Sequence, residues 1–390
     1  MPVTEDAYFS FALPAICFFC LALLLPFSKE TTTDEGEGLK KLFEKIKKVL
    51  DERKKLGLVI MSIGTVISFA IPYLPGGLQF FATLVYFSSF SGFLYLNFTK
   101  GVRFKRWITL FFILFIIYNA INGGMFTIVA YMGITIFSFL LYGKRTFFLT
   151  KILIFITAVF LVLALQNVKV VYRDFAWRKN YQGNKIALFA DLYWQQLVKG
   201  TGILNPTAMF GFYARANQGY NVALVIQRVP SIQPFDDGSR LMTVFASAFV
   251  PRFLWPDKPE AGGKFNMKYY AGWDISGWST NVGPLGEAYG SFGSFGGIVY
   301  MFLLGLFLRW IYIRMFKLSN MTPLVVCWIP VLFYQVISSA ETDTLSIINP
   351  VIKASFFLFL IYKLLPEWFG KSKDQIQKRE TSLIQTPQAV

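Results

Sequence analysis

The chain has 390 residues, of which 55% are hydrophobic and 15% charged, with 38 Lys or Arg against 22 Asp or Glu and no histidine. Charge this sparse, against roughly a quarter in average globular chains, excludes an ordinary soluble surface. The missing histidine excludes His-based acid–base catalysis, Ser-His-Asp triads and most zinc sites.

In chain order, residues 1–10 carry only Glu5 and Asp6 before an apolar run to residue 27, and nine basic residues follow between Lys29 and Lys55. The positive-inside bias therefore predicts an external N-terminus, and the lack of a basic leading segment argues against a cleavable signal. Cys17 and Cys20 fall in this run and Cys327 in another, so all three read as packing residues. Over residues 39–56, Leu39, Leu42, Phe43, Ile46, Val49 and Leu50 recur at helical spacing with lysines opposite. That pattern predicts a basic amphipathic helix on the inner leaflet. Uncharged or nearly uncharged segments follow at 56–74, 78–98, 107–120, 125–142 and 147–165, with basic connectors consistently on one side. A span needs about 20 such residues to cross a core of roughly 30 Å. The pattern halts for the 128 residues of 166–293 and resumes at 294–313, 323–338 and 345–365 before a polar, basic tail.

These segments predict an all-α, polytopic transmembrane helix bundle of about nine spanning helices with a long, partly helical external loop. Its parts are a six-helix membrane region (1–165), the loop (166–293), a three-helix membrane region (294–365) and a cytoplasmic tail (366–390). The two halves show no internal repeat. The net charge of +16 lies mostly in short clusters between apolar segments. It therefore reads as a topology determinant facing anionic lipid rather than as a nucleic-acid surface.

The loop has thirteen Lys or Arg, eight Asp or Glu, five of the nine Trp and eighteen other aromatics. Residues 186–198 and 220–228 read as amphipathic helices, and 240–250 is apolar but too short to cross, a candidate re-entrant piece. Aromatic faces pack on sugar rings, and guanidinium groups bind phosphate in bidentate fashion. Together they suit a polyprenyl-diphosphate-linked oligosaccharide. The plainer reading is an interfacial aromatic belt with snorkelling cations.

From Ser239 the loop reads SRLMTVFASAFVPRFLWPDKP and then, after a glycine-rich stretch, STNVGPLGEAYGSFGSFGG. The Pro251-Arg252 pair, the Trp255-to-Pro259 block and the 279–297 block containing Gly286, Glu287 and Tyr289 resemble the Wzy-type O-antigen polymerases, the oligosaccharide repeat-unit polymerases. The resemblance covers about 75 residues closely and the rest only in topology. It implies a GT-C-like, metal-independent glycosyltransferase without a cofactor. Such an enzyme joins polyprenyl-diphosphate-linked oligosaccharides, donor and acceptor, on the external, periplasmic face of a bacterial inner membrane. Membrane lipids and a chain-length regulator are the further partners it suggests.

Transfer to a hydroxyl needs a base, and without histidine a carboxylate is the natural choice. Glu287, beside glycines at the start of an apolar helix, is the first candidate; a helix-start or ion-pair role is its alternative. Asp257 and Asp237 are weaker candidates, because Asp in such turns is usually structural. For the leaving diphosphate the candidates are Arg252, Lys258, Arg240 and Arg215, with salt bridges to Asp236 or Asp237, or a lipid headgroup, as alternatives. Trp255, Trp273 and Tyr289 are candidates for stacking on sugars. Glu341 and Asp343 fall in the short outer turn before the last apolar segment. Lys353 lies eight residues into that segment, roughly 12 Å by helical rise. A charge at that depth is a functional candidate for the diphosphate or half of an internal ion pair. No acidic cluster implies a metal. Two other functions share these features, an O-antigen-ligase-like transferase and a flippase of lipid-linked glycans. The absence of histidine counts against the first and the absence of repeated halves against the second.

Overall fold

The structure, a computed structural model, describes residues 2–25, 35–124, 126, 133, 136, 138–139, 147–178, 181–198, 218–250, 254–259, 262–275, 280–339 and 342–371. Among them there is no strand, and six helices are long and apolar enough to cross a membrane. The chain divides into two units, residues 1–105 with 221–390, and residues 106–220. The division falls inside the predicted 166–293 loop.

In the first unit, α1 (Glu5–Leu24) starts where Thr4 accepts a hydrogen bond from the Ala7 amide at 3.3 Å, with Glu5 and Asp6 at the positive end of the helix dipole. α2 (Glu35–Glu52) is the predicted amphipathic helix. Its apolar face is not left to lipid alone: Ile46 and Leu50 are fully buried, and Phe43 packs on Phe98 at 5.5 Å. α3 (Leu56–Ala70) and α4 (Gly76–Phe98) are antiparallel, joined by a turn that Pro72 and Pro75 keep out of a continuous helix. Glycine draws these two helices together. A Cβ at Gly57 would lie 2.6 Å from the Leu96 amide, one at Gly64 2.7 Å from Ser89 Cβ, and one at Gly92 2.6 Å from the Met61 amide.

After α8 (Gly219–Arg228), α9 (Ser239–Phe249) and α10 (Gly263–Ala271) comes α11 (Gly283–Ser319), which bends at Gly293, where φ is +68°. The predicted 240–250 re-entrant piece is α9, whose buried face (Leu241, Val244, Ser247, Ala248) packs on the later helix over Thr344–Leu364, α13. α11 runs parallel to α1: Gly297 meets Phe11, Gly305 meets Phe19, and Arg309 donates to the Leu25 carbonyl at 3.2 Å. Cys17 and Cys20 are exposed on α1, contrary to their expected packing role; Cys327 is buried. The predicted 323–338 span is a 3-10 turn, Pro323–Trp328, followed by the short α12 (Ile329–Ser339). α13 (Thr344–Leu364) ends in a second 3-10 turn, Pro366–Phe369.

One end of this unit is tied by aromatic and cationic contacts. The Tyr95 hydroxyl donates to the Trp368 carbonyl at 2.8 Å and accepts from Trp328 Nε1 at 2.9 Å, and Arg53 donates to the Glu367 carbonyl at 2.9 Å. Lys100, Arg103 and Lys105 follow α4 at this same end.

The second unit contains α5 (Lys105–Gly123), α6 (Phe148–Arg173) with a π-helical turn at Asp174–Arg178, and α7 (Lys185–Val198). Phe126, Phe189 and Tyr193 stack in its core, and Tyr172 meets Phe126 and Phe189 edge-on. Most of the predicted 125–142 span lies outside the described residues. In α6, residues 152–165 form an uncharged apolar run within the predicted 147–165 span.

Candidate functional site

The first four amides of a helix have no intrahelical partner. At the start of α13 two carboxylates meet that need. Asp343 is its N-cap and accepts from the Ser346 amide at 2.5 Å. Glu287, one turn into α11, accepts from the Thr344 amide at 2.7 Å through Oε2. Each carboxylate then uses its other oxygen on the segment around α10. Glu287 Oε1 accepts from Asn266 Nδ2 at 2.7 Å, and Asp343 Oδ2 accepts from the Gly262 amide at 2.8 Å. Asn281 Nδ2 adds a further bond to Asp343 Oδ2 at 3.0 Å. Asn281 is itself held by its own Oδ1, which accepts from the Val282 amide, and by Asn221 Nδ2, which donates to its carbonyl at 2.8 Å. Thr344 Oγ1 and the Tyr300 hydroxyl lie 2.8 Å apart.

Glu287 is 2% and Asp343 1% exposed. Their hydrogen-bond donors are all uncharged groups. Burying two neighbouring carboxylates is expensive, and among the described residues it is helix amides and asparagines, with no cation, that offset the cost.

Beside this network lies a second, smaller one. The Tyr270 hydroxyl donates to Asp236 Oδ2 at 2.8 Å and lies 3.2 Å from Ser291 Oγ. Asp236 Oδ1 also accepts from the Gly238 amide at 2.9 Å. Burial holds the Tyr270 phenol well above its usual range, and the Asp236 charge adds to that.

The residues expected from sequence fall at different places. Glu287 is central to the network. Tyr289 is buried, with its ring packed on Phe11 (5.0 Å) and Phe235 (6.1 Å), so protein already covers it as a stacking surface. Lys258 donates to the Ser247 and Val250 carbonyls, both at 3.0 Å, closing the C-terminal end of α9. Arg240 lies 3.7 Å over the Phe265 ring and has a buried Nε–H without an acceptor. Trp273 is exposed and Trp255 half-buried. Lys353 stands 4.5 Å from the Phe80 ring, about 14 Å along the helix from its N-terminus. Arg252 and Arg215 lie outside the described residues, as does Glu341. Asp237 and Asp257 are exposed.

Sequence reasoning missed Asn221, Asn266, Asn281, Tyr270 and Thr344. Asp343 was legible only as part of a turn, although Asp followed by Thr-Leu-Ser and an apolar run is an N-cap signal.

This arrangement defines an all-helical protein with helices able to cross a membrane and a buried carboxylate pair at one helix end. The chain belongs to the family described as a domain of unknown function, DUF8712, which matches residues 39–367. No curated protein and no solved structure matches it.

Proposed function

We propose that the protein is a membrane glycosyltransferase that polymerises polyprenyl-diphosphate-linked oligosaccharide repeat units, in the manner of the Wzy-type polymerases. In this reading about nine helices span a bacterial inner membrane in a GT-C-like bundle, with the N-terminus and the site outside and the C-terminus inside.

The observation that carries it is the Glu287–Asp343 pair, buried at the start of α13 with amide donors only among the described residues. Carboxylates buried at such a cost are candidates for function. Orientation supports the reading too. The start of α1 lies at the Glu287 end, whereas α2, the end of α4 and the end of α11 (Arg314, Lys317) bring the basic clusters to the other. The positive-inside bias then favours an external site.

In the reaction an acceptor hydroxyl attacks the anomeric carbon of the donor. A new C–O bond forms as the sugar–diphosphate bond breaks, and the electron pair leaves on the diphosphate. The hydroxyl proton passes to Glu287 once Asn266 is displaced from Oε1. The cation-rich segments supply charge for the leaving group, with Arg240, whose Nε–H lacks an acceptor, the first contact and Arg252 and Lys353 the others. Trp255 and Trp273 offer aromatic surface to the sugars.

The test uses purified full-length protein in nanodiscs with lipid-linked repeat units extracted from the producing cells. A ladder of chain lengths is expected, reduced roughly a hundredfold in Glu287→Gln, the scale of one lost acid–base group. Intact substrate under all conditions would sink the enzyme reading. Single transfer to a lipid A acceptor would replace polymerase with ligase, and translocation without bond formation would point to a flippase.

A further inference from the structure

A cleft of about 410 Å³ opens in the unit of residues 106–220, between the C-terminal end of α5 and the turn that leads into α7. Tyr118 and Asn122 form one wall, and Tyr181, Gln182, Asn184 and Lys185 the other.

Both walls are held by hydrogen bonds. The Tyr172 hydroxyl and Arg173 Nε donate to the Ile121 and Gly124 carbonyls at 2.7 and 2.9 Å, fixing the end of α5. On the other side, the Tyr181 amide donates to the Phe175 carbonyl at 3.2 Å. Asn184 Oδ1 accepts from the Ile186 and Ala187 amides at 3.0 and 3.1 Å, starting α7. A Cβ at Gly183 would come within 2.4 Å of the Tyr181 ring, so only glycine lets that ring fold over the turn.

The lining has a definite chemistry. Three primary amides each carry donors and an acceptor, which matches the paired donor and acceptor character of vicinal hydroxyls. Oδ1 of Asn184 is taken up in capping α7, so its Nδ2 is the atom that can donate. Two tyrosines supply apolar ring faces ending in hydroxyls. Among the described lining residues Lys185 is the one cation and there is no arginine, which suits a neutral or weakly acidic ligand better than a diphosphate. The volume falls in the range of small-ligand sites, roughly 300–1,000 Å³.

We infer that this cleft binds the sugar portion of an oligosaccharide, through its hydroxyls and ring faces and independently of any phosphate. The role of that sugar, as acceptor or growing chain, rests on the transferase reading above; its binding does not.

The test uses the full-length protein in nanodiscs and, as probe, the oligosaccharide released by mild acid from the producing cells' lipid-linked units. Saturation-transfer NMR and calorimetry report binding. The wild type should bind, and Tyr118→Ala and Gln182→Ala should each weaken binding roughly tenfold. Asn122→Asp, which keeps the shape of the side chain, replaces any truncation that does not elute as folded protein. No binding, binding indifferent to these substitutions, or competition by inorganic pyrophosphate or glycerol 3-phosphate would each overturn the inference. Binding without any ladder would leave the cleft standing and remove the transferase. A ladder with no binding would remove the cleft alone.

Discussion

Replacing Asp343 with alanine removes three hydrogen bonds at once, those from the Ser346 amide, the Gly262 amide and Asn281 Nδ2. The site is closed to water, since Asp343 is 1% exposed. A buried donor left without a partner costs about 1–3 kcal/mol, and loss of an N-cap about 1 kcal/mol. With allowance for non-additivity among neighbours, Asp343→Ala should destabilise the protein by about 3–6 kcal/mol. Asparagine is a finer probe. In its better orientation the amide oxygen keeps the Gly262 and Asn281 donors, and the NH₂ group faces the Ser346 amide. One bond is then lost instead of three, so Asp343→Asn should cost about 1–3 kcal/mol. Both are measured by denaturant unfolding of detergent-solubilised protein, followed by circular dichroism. An alanine variant within about 0.5 kcal/mol of wild type, the range of a surface change, would refute the role given to this side chain. So would an asparagine variant as unstable as alanine.

Gly92→Ala places a methyl 2.6 Å from the Met61 amide and 2.8 Å from the Gly57 carbonyl, both backbone atoms that cannot swing aside. Overpacking of this kind costs about 1–3 kcal/mol, and unchanged thermal stability would contradict the tight α3–α4 contact. The raised Tyr270 phenol makes a pH prediction. Above the ordinary tyrosine value near 10, the unfolded chain has lost this proton and the folded protein keeps it. Stability from this group is therefore complete below that pH and falls as pH rises through the window above it. Unfolding measured across that range should show the decline, and Tyr270→Phe should flatten it; an unchanged slope in the variant would assign the decline elsewhere.

The membrane character was legible because length and lack of charge are local properties. Runs such as Leu78–Phe98 and Thr344–Leu364 announce themselves without reference to any neighbour. The amphipathic pattern of α2 was equally plain, but what covers it was not. Whether Ile46 and Leu50 meet lipid or protein depends on partners far away in the chain. The same limit hid most of the site. Glu287 was visible as a carboxylate beside glycines, yet its partners Asn266 and Thr344 lie 21 and 57 residues away. Nothing in a local window distinguishes Asn266 from a surface asparagine. Lys258 and Tyr289 show the converse. Residue type suggested ligand contacts, and the fold gives the lysine two helix-end carbonyls and the tyrosine two aromatic neighbours.

The division of labour within the carboxylate pair bears on how a buried group could act on a substrate. Each carboxylate has one oxygen bound by α13 and the other by the segment around α10, through Asn266 for Glu287 and Gly262 for Asp343. The α13 bonds come from backbone amides of a 21-residue helix and are fixed with it. The α10 bonds come from a nine-residue helix, Gly263–Ala271, that follows a turn. Turning the Asn266 side chain away would therefore free one oxygen of Glu287 while the Thr344 amide kept the group in place; Asp343 Oδ2 would remain bound by Gly262 and Asn281. That movement gives up one hydrogen bond, worth about 0.5–1.5 kcal/mol net and more for a charged acceptor, whereas α10 itself stays anchored by buried Met267 and Tyr270. Contacts made by a bound oligosaccharide can offset a cost of that size. A base shielded from water until its substrate displaces the shield is consistent with transfer to a sugar hydroxyl in preference to water.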